Sequence, residues 1–291
     1  MQLLLVRLAS AAAIALVYML FDVFNHRNVP SAFAYGSLAY GLALTLLYLN
    51  AGTILTSLGI AAVVLGVGYA AYRIGQVGAA DVIEIAALSM ILPVQVLPRL
   101  LPFTGQLGLP FIAGVLINTG IFAMVMVPLY YIPIAMKRLR RPLASYVGGR
   151  NAAMAAVMLL AYASFILFAE FTVGISAAGI IVLALMAVSS ASVMLLAVPI
   201  TLSMVRYVTP REMDEGDIVA VNLLDAGRLR RLKGSVDGFD RLLNRRALES
   251  LRKGRPKEKL PVYKDAMPLA LPIFAAVIAA MLAGNILLLV I

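Results

Sequence analysis

The chain contains no cysteine and no tryptophan, and it has a single histidine, His26. The absence of cysteine excludes disulfide bonds, cysteine-ligated zinc, iron–sulfur clusters and catalysis by a thiol. One histidine cannot supply a multi-histidine metal site, so we expect neither a metal nor a cofactor. Without tryptophan, the aromatic residues expected at a membrane–water boundary are the 12 tyrosines.

Charged residues are also scarce. Only 13% of the 291 residues are charged and 63% are hydrophobic, whereas soluble domains have about 25% charged and about 45–50% apolar residues. The apolar residues fall in runs of roughly 17–25, the length needed to cross about 30 Å of hydrocarbon. Backbone groups inside lipid must be hydrogen-bonded within their own segment, so each run is expected to be a helix. The composition therefore predicts an all-α membrane protein, a polytopic bundle of transmembrane helices.

Eight apolar runs are predicted to be membrane spans. They lie at about 2–21, 32–49, 53–73, 80–98, 109–135, 152–171, 177–204 and 267–290. The basic residues concentrate in alternate loops, around Arg27, Arg73, Lys137–Arg141 and 206–264, whereas the opposite loops offer only Arg99. Because loops rich in lysine and arginine stay in the cytoplasm, we expect the N-terminus outside the cell and the basic loops on the cytoplasmic side of the cell membrane.

These boundaries divide the chain into three parts. Residues 1–204 are expected to form the transmembrane catalytic bundle of about seven spans, 205–266 a small basic cytoplasmic segment, and 267–291 a C-terminal transmembrane helix. The cytoplasmic segment holds 15 of the 24 lysines and arginines together with 10 acidic residues. This distribution predicts attraction to anionic membrane lipids rather than binding to nucleic acid.

Within the cytoplasmic segment, residues 218–221 have the character of a strand, and a helix is predicted over about 237–253. About 60 residues is near the lower limit for a self-supporting core. We therefore expect the segment to pack against the membrane surface or the helix bundle.

Only four acidic residues lie outside the cytoplasmic segment: Asp22, Asp81, Glu84 and Glu170. An ionisable group in or at the end of a span is costly and marks a candidate functional position. Asp22 closes the first run and Asp81 opens the fourth, so the predicted topology places both at cytoplasmic helix ends. Glu84 follows Asp81 by one turn and is expected to face the same site or to pair with Arg27, and Glu170 is expected to be solvated near the outer face.

Two confined carboxylates do not both ionise easily, so they tend to share a proton. The protonated carboxyl can then polarise a peptide carbonyl while the ionised one accepts a proton from water. Two simpler roles stand beside this one. Asp81 suits the N-terminal cap of a helix, and Asp22 suits a solvated position at the membrane edge, balanced by Arg27.

The first aspartate segment resembles the type IV prepilin peptidase family, in particular its archaeal branch. Members carry an aspartate at the cytoplasmic end of the first span, followed by the pattern Asp-x4-Arg-x-[Ile/Val]-Pro. Asp22, Arg27, Val29 and Pro30 match this pattern position by position.

The second aspartate segment resembles the Gly-x-Gly-Asp motif of the same family. Here the residues are Gly78, Ala79, Ala80 and Asp81, so the first glycine and the aspartate match. Ala80 stands where the motif has its second glycine, and alanine adopts positive φ less readily than glycine. Two motifs in the family's order and spacing make the resemblance more specific than either motif alone.

The resemblance implies an aspartic endopeptidase that removes class III signal peptides from archaellin- and pilin-like precursors at the cytoplasmic membrane face. Asp22 and Asp81 would be catalytic, with Arg27, Pro30 and Gly78 as supporting residues. Glu84 joins them as a supporting residue by its spacing from Asp81. Bacterial relatives often add a zinc-binding cysteine tetrad and methylate their product, and neither is expected in a chain without cysteine.

Two other functions are kept open. A presenilin-like intramembrane aspartic protease also uses two aspartates, but it needs a Pro-Ala-Leu motif near a late span, and the corresponding stretch here, 267–272, has another order. A small ion-coupled membrane transporter would use Asp22, Asp81 and Glu84 as relay groups, although such carriers usually show repeats and midplane sites. Close approach of the two aspartate carboxylates would favour a peptidase.

Overall fold

The computed structural model describes residues 2–25, 28–47, 50–75, 77–92, 110–139, 141–255 and 257–287. It is 75% helical, which agrees with the predicted all-α class. The helices are α1 (Gln2–Phe24), α2 (Ser31–Leu46), α3 (Ala51–Arg73), α4 (Ala79–Ile91), α5 (Phe111–Arg138), α6 (Gly149–Thr172), α7 (Ala177–Leu195), α8 (Ala197–Met204), α9 (Ala226–Ser235), α10 (Arg245–Gly254) and α11 (Ala270–Ala283). Two short strands, β1 (Arg206–Val208) and β2 (Leu260–Val262), pair antiparallel.

Five of these helices, α1, α3, α5, α6 and α7, are long and apolar enough to cross a membrane. Helices α2 and α11 are apolar but shorter. Large apolar side chains point away from the bundle, with Phe171 87% and Leu55 75% exposed. An apolar surface of this kind suits lipid rather than water. The architecture is that of an all-α membrane protein.

Each of the eight predicted apolar runs contains a helix, but three helices end or break inside their runs. The helix of the last run, predicted to reach 290, ends at Ala283. The predicted run at 177–204 is divided at Leu196 into α7 and α8, with Pro199 in the first turn of α8, where proline is tolerated. The predicted run at 80–98 gives a helix that ends at Ile91. The rest of that run, from residue 93, lies outside the described residues.

Helix α4 is the centre of one half of the bundle. It packs against α1, α2 and α3, while α11 packs against α1 and α5, and α5 in turn against α7. Small residues allow these close approaches. A Cβ on Gly41 of α2 would come within 3.1 Å of the Ala87 carbonyl oxygen of α4, so the two backbones nearly touch.

Arg7 of α1 is buried where α2 and α4 end. Its guanidinium donates hydrogen bonds to the carbonyl oxygens of Met90 (2.7 Å), Ile91 (2.7 Å), Leu92 (3.2 Å) and Leu44 (3.3 Å). The last carbonyls of a helix have no partner within the helix and carry partial negative charge. Arg7 therefore stabilises the C-terminal ends of both helices at once.

The segment 205–266 has a hydrophobic core of its own. Met213, Leu232, Leu243, Leu251 and Val262 are each 0–1% exposed and pack together. Because the β1–β2 pair closes the segment at its base, residues about 50 apart in sequence enclose a single core. The segment thus has an apolar core, although its length is near the lower limit for one.

The local elements of this segment also differ from the prediction. The predicted helix at 237–253 begins only at Arg245, as α10, and α9 was not predicted. The predicted strand forms isolated bridges instead, from Ile218 to Leu242 and from Val219 to Val262.

Salt bridges hold the segment at its base. Asp265 accepts from Arg138 of α5 (2.6 Å) and from Arg206 of β1 (2.7 Å), and its backbone N–H donates to the Met204 carbonyl. Burial raises the pKa of Asp265, but the hydrogen bonds from Arg206 and Arg138 outweigh burial and leave this pKa below its ordinary value. The chain thus enters and leaves the segment at one place, at the end of α5.

Candidate active site

Asp22 lies in the last turn of α1 and is only 8% exposed. Its Oδ2 accepts a hydrogen bond of 3.1 Å from the backbone N–H of Ala270, the first residue of α11. The first N–H groups of a helix have no partner within the helix and carry partial positive charge. The structure therefore brings a carboxylate from one end of the chain to a helix N-terminus near the other end, which stabilises its ionised form.

Asp81 is the third residue of α4. Its Oδ2 accepts a hydrogen bond of 3.1 Å from the backbone N–H of Gly78, the residue that caps this helix. This is one half of a capping box, since glycine has no side chain to return a bond. The capping role considered for Asp81 is thus present, and it leaves the half-buried carboxylate at the positive end of α4.

A side chain at Gly78 would displace the Asp81 carboxylate. A Cβ on Gly78 would lie 2.7 Å from Asp81 Oδ2, although the φ of −72° suits any residue. Ala80, by contrast, lies inside α4 in helical conformation, so the freedom of a glycine is not needed there. The backbone freedom that Ala80 lacks relative to glycine is therefore not used in this conformation.

Glu84 is the third carboxyl group of the cluster. It is 0% exposed and lies one turn after Asp81 on α4, close enough to both Asp81 and Asp22 to interact electrostatically with each. Within the described part of the chain, neither of its carboxyl oxygens has a hydrogen-bond partner. The alternative, that Glu84 pairs with Arg27, involves a residue outside the described part of the chain.

Tyr18 belongs to the same cluster and was missed from the sequence. It lies one turn before Asp22 on α1, is 1% exposed, and its hydroxyl is 3.0 Å from the Ser37 hydroxyl of α2. It interacts electrostatically with Glu84 and Asp81. Its signal was the spacing of four residues from Asp22, which places two side chains on one helix face.

An apolar shell, which includes Tyr18, adjoins the carboxyl groups. Tyr18, Ala34 and Ala270 pack together, with Phe33 and Ile83 against them. The shell thus draws on four helices, α1, α2, α4 and α11.

Pro30 supports this shell by starting α2. Its carbonyl oxygen accepts from the N–H groups of Phe33 (2.9 Å) and Ala34 (3.0 Å). His26 and Arg27 lie outside the described residues. Pro30 therefore acts on the cluster through the placement of α2.

The cluster is suited to proton exchange. Among the residues that the structure describes, no three histidine, cysteine, aspartate or glutamate side chains are placed to hold a metal ion. Asp22 and Asp81 each accept from a backbone N–H, and both interact electrostatically with Glu84, which has no hydrogen-bond partner among the described residues and also interacts with the Tyr18 phenol. Groups of this kind bind and release protons in reactions of water with carbonyl compounds.

Comparisons with protein-family models, with curated proteins and with solved structures find no match to this chain. The likeness of its two aspartate segments to prepilin peptidases therefore rests on the motif residues alone. Function is inferred from those residues and from the geometry of the cluster.

Proposed function

We propose that this chain is a membrane-embedded aspartic endopeptidase in which Asp22 and Asp81 activate a water molecule. One observation supports this most strongly. The two carboxylates lie 59 residues apart in sequence. Asp22 is at the C-terminal end of α1 and Asp81 at the N-terminal end of α4, two helices in contact, and both residues act electrostatically on Glu84. Their common interaction with Glu84 supports a single site for Asp22 and Asp81.

The proposed reaction uses one ionised and one protonated aspartate. The ionised carboxylate accepts a proton from water while the water oxygen attacks the peptide carbonyl carbon, and the protonated carboxyl gives its proton to the carbonyl oxygen. In the tetrahedral intermediate the C–N bond then breaks. The first aspartate gives its new proton to the departing nitrogen, and the second recovers a proton from a hydroxyl group. One water is consumed, and neither a metal nor a cofactor takes part.

The helix N-termini support this chemistry. The N–H of Ala270 stabilises negative charge on Asp22, and the N–H of Gly78 stabilises negative charge on Asp81. Donors that are already oriented need no reorganisation during the reaction. Either aspartate can therefore carry the negative charge as the proton changes place.

The proposed substrates are precursors of archaellin or pilin type, cut at the junction between a short basic leader and an apolar helix. The two motifs support this choice, as does the place of the carboxylates at the helix ends that adjoin the basic loops. On this proposal the active site faces the cytoplasm, and its negative charge attracts the leader. The basic segment 205–266 repels the leader and binds anionic lipid headgroups instead.

Cleavage of a prepilin-type precursor tests the proposal. With the protein and precursor in liposomes, Asp22→Asn and Asp81→Asn are each expected to lower the rate by about 10³-fold or more, since each removes a general acid–base group. Asp240→Asn, at an exposed aspartate of the cytoplasmic segment, is the matched control and should cleave normally. Near-normal cleavage by either of the first two variants would refute the assignment.

An ion-coupled transporter is the second candidate, and one observation favours it. Glu84 is buried without a hydrogen-bond partner among the described residues, as expected of a group that carries protons across a membrane. Liposomes loaded with a pH-sensitive dye separate the two functions. A peptidase causes no proton flux, whereas a carrier causes flux that Glu84→Gln abolishes.

The presenilin-like alternative differs in where the substrate is cut. The cleavage position, determined by mass spectrometry of the products, distinguishes the two kinds of protease. A cut at the junction of the leader supports the prepilin type, and a cut inside the apolar helix supports the presenilin type.

A further inference from the structure

The three carboxyl groups of the cluster are not equivalent. Asp22 accepts a backbone N–H from the start of α11, and Asp81 accepts one from the start of α4. Glu84 has no donor among the described residues and is completely buried. A buried carboxylate without hydrogen bonds or an opposite charge is far less stable than a neutral carboxyl group. Negative charge is therefore favoured on the aspartates and disfavoured on Glu84.

The groups around Glu84 add to this difference. Among the described residues, the ionisable groups that act on it are Asp81 on its own helix, and Asp22 and Tyr18 on α1. Helices α2 and α3, which also pack against α4, carry four tyrosines and Arg73 but no acid, and α11 carries no ionisable residue. Two neighbouring carboxylates make a negative charge on Glu84 still less favourable.

We infer that Glu84 holds the proton of a three-carboxyl cluster in the resting protein and delivers it to Asp81 when substrate binds. This inference rests on the proposed peptidase function. Glu84 and Asp81 are three residues apart on one helix, a spacing that makes their side chains neighbours. Glu84 therefore acts on the reaction through Asp81, by holding and supplying the proton, and is a positioning residue rather than a catalytic one.

The transfer leaves the total charge of the cluster unchanged. In the resting state Asp22 and Asp81 are carboxylates and Glu84 is a carboxylic acid. A peptide that covers the half-buried Asp81 removes water from its charge, so the proton moves from Glu84 to Asp81, and Glu84 becomes the carboxylate. Asp81 then donates this proton to the carbonyl oxygen of the peptide, Asp22 takes a proton from water, and the proton returns to Glu84 when the products leave.

Infrared spectroscopy of the full chain in lipid tests the resting state directly. A protonated carboxyl group has a C=O stretching band that a carboxylate lacks. We expect this band at neutral pH in the unmodified protein and in Asp81→Asn, and we expect Glu84→Gln to remove it. The matched control Glu170→Gln, at an exposed glutamate of α6, should retain it. A band that survives in Glu84→Gln, or no band in the unmodified protein, would overturn the inference.

The pH dependence of cleavage tests the transfer. Glutamine has the size of glutamate and is neutral, so Glu84→Gln preserves packing but cannot release a proton. We expect kcat to fall about 10²-fold and the basic limb of the pH profile to move to lower pH, because the remaining aspartates, with their backbone donors, release their proton more readily. Glu84→Asp, which keeps the acid, should restore the shape of the profile. An unchanged kcat and profile in Glu84→Gln would show a structural role only and overturn the inference.

Failure of this inference can be told apart from failure of the proposed function. If Asp22→Asn and Asp81→Asn are inactive while Glu84→Gln behaves as the unmodified protein, the peptidase assignment is retained and the proton-holding role of Glu84 is refuted. If either aspartate variant cleaves normally, the delivery of a proton for peptide cleavage is refuted with the peptidase itself, whereas the infrared band still reports where the resting proton lies.

Discussion

The two ends of helix α4 meet the same physical problem in different ways. At the C-terminal end, the guanidinium of Arg7 is buried and donates to four carbonyl oxygens of α2 and α4. At the N-terminal end, Asp81 accepts one backbone N–H, and Glu84, one turn further on, has no partner among the described residues. Both ends match the helix dipole, with positive charge near the C-terminus and negative charge near the N-terminus.

The difference between the two ends of α4 distinguishes a structural role from a chemical one. A buried guanidinium that binds several backbone carbonyls at helix ends is held by the fold and stabilises it. A buried carboxyl without a donor is a poor stabiliser, and groups of this kind occur where protons move. We therefore assign the Arg7 end of α4 to stability and the Asp81 end to function, and the variants below test that division.

Arg7→Met is expected to have the largest effect on the fold. The substitution retains much of the side-chain volume but removes the Arg7 donor from the carbonyls of Ile91 and Leu92 inside the bundle, and leaves the Met90 carbonyl with the Thr45 hydroxyl. We expect a loss of about 3–5 kcal/mol in the free energy of unfolding. Unfolding in mixed detergent micelles, followed by circular dichroism, measures it.

The matched control for this variant is Arg73→Met. Arg73 is an exposed arginine in the last turn of α3, so its replacement should change stability little. Equal losses in the two variants would mean that the buried guanidinium has no special part in holding α4. The division between the ends of the helix would then be wrong.

Gly78→Ala is expected to have the next largest effect, at the functional end. The new Cβ would lie 2.7 Å from Asp81 Oδ2 and must displace that carboxylate. We expect kcat/KM for precursor cleavage to fall about 10-fold, because small displacements of a reacting group are costly. Stability should change little, since the backbone at this position suits alanine.

Gly148→Ala is the control for this variant. Gly148 also caps a helix, with φ −84° and ψ 152°, close to the −72° and 149° of Gly78, but nothing lies within 4 Å of its Cβ position. It should have normal activity. If Gly78→Ala is as active as Gly148→Ala, the placement of the Asp81 carboxylate does not limit the reaction.

The sequence predicts some of this architecture well, for a physical reason. Spanning lipid requires a long apolar helix, so hydropathy predicts α3 at 53–73, close to the observed Ala51–Arg73. The prolines at 93 and 98 predict that the fourth run kinks or breaks near its end, and α4 does end at Ile91. What the sequence does not predict is that Arg7, a residue 84 positions away, binds the last carbonyls. A lone arginine inside an apolar run was itself a signal of this role.

The candidate site was predictable only in part. The two aspartates stand out because acids are rare in apolar runs, and the spacing places Glu84 one turn from Asp81. Whether Glu84 has a donor depends on the packing of α1 against α4, which no local pattern contains. The core of the segment 205–266 was missed for a similar reason, since it is closed by the distant pair β1 and β2.

The smallest expected effect lies outside the bundle, at Asp265. Because hydrogen bonds from Arg206 and Arg138 hold its folded-state pKa below 3.8, its contribution to stability is complete above that value and is lost as the pH falls through the folded-state pKa. Asp265→Asn should therefore be less stable than the unmodified protein at neutral pH, by about 1 kcal/mol, and this difference should vanish in strong acid. Melting temperatures of the two proteins, compared at neutral pH and at pH values below 3.8, measure this difference in stability.

Asp240→Asn is the control for the acid dependence, since Asp240 is an exposed aspartate that accepts from the neighbouring backbone N–H and forms no ion pair with another described residue. It should follow the unmodified protein at every pH. A difference for Asp265→Asn that persists unchanged into strong acid would show that ion pairing is not its cause.

The central claim is that Asp22 and Asp81 form one catalytic unit, and a double-mutant cycle on precursor cleavage tests it most directly. Groups that act as a unit give grossly non-additive effects. We predict that Asp22→Asn, Asp81→Asn and the double variant all cleave at the same residual rate. A double variant whose loss equals the product of the two single losses would show two independent groups and contradict the account.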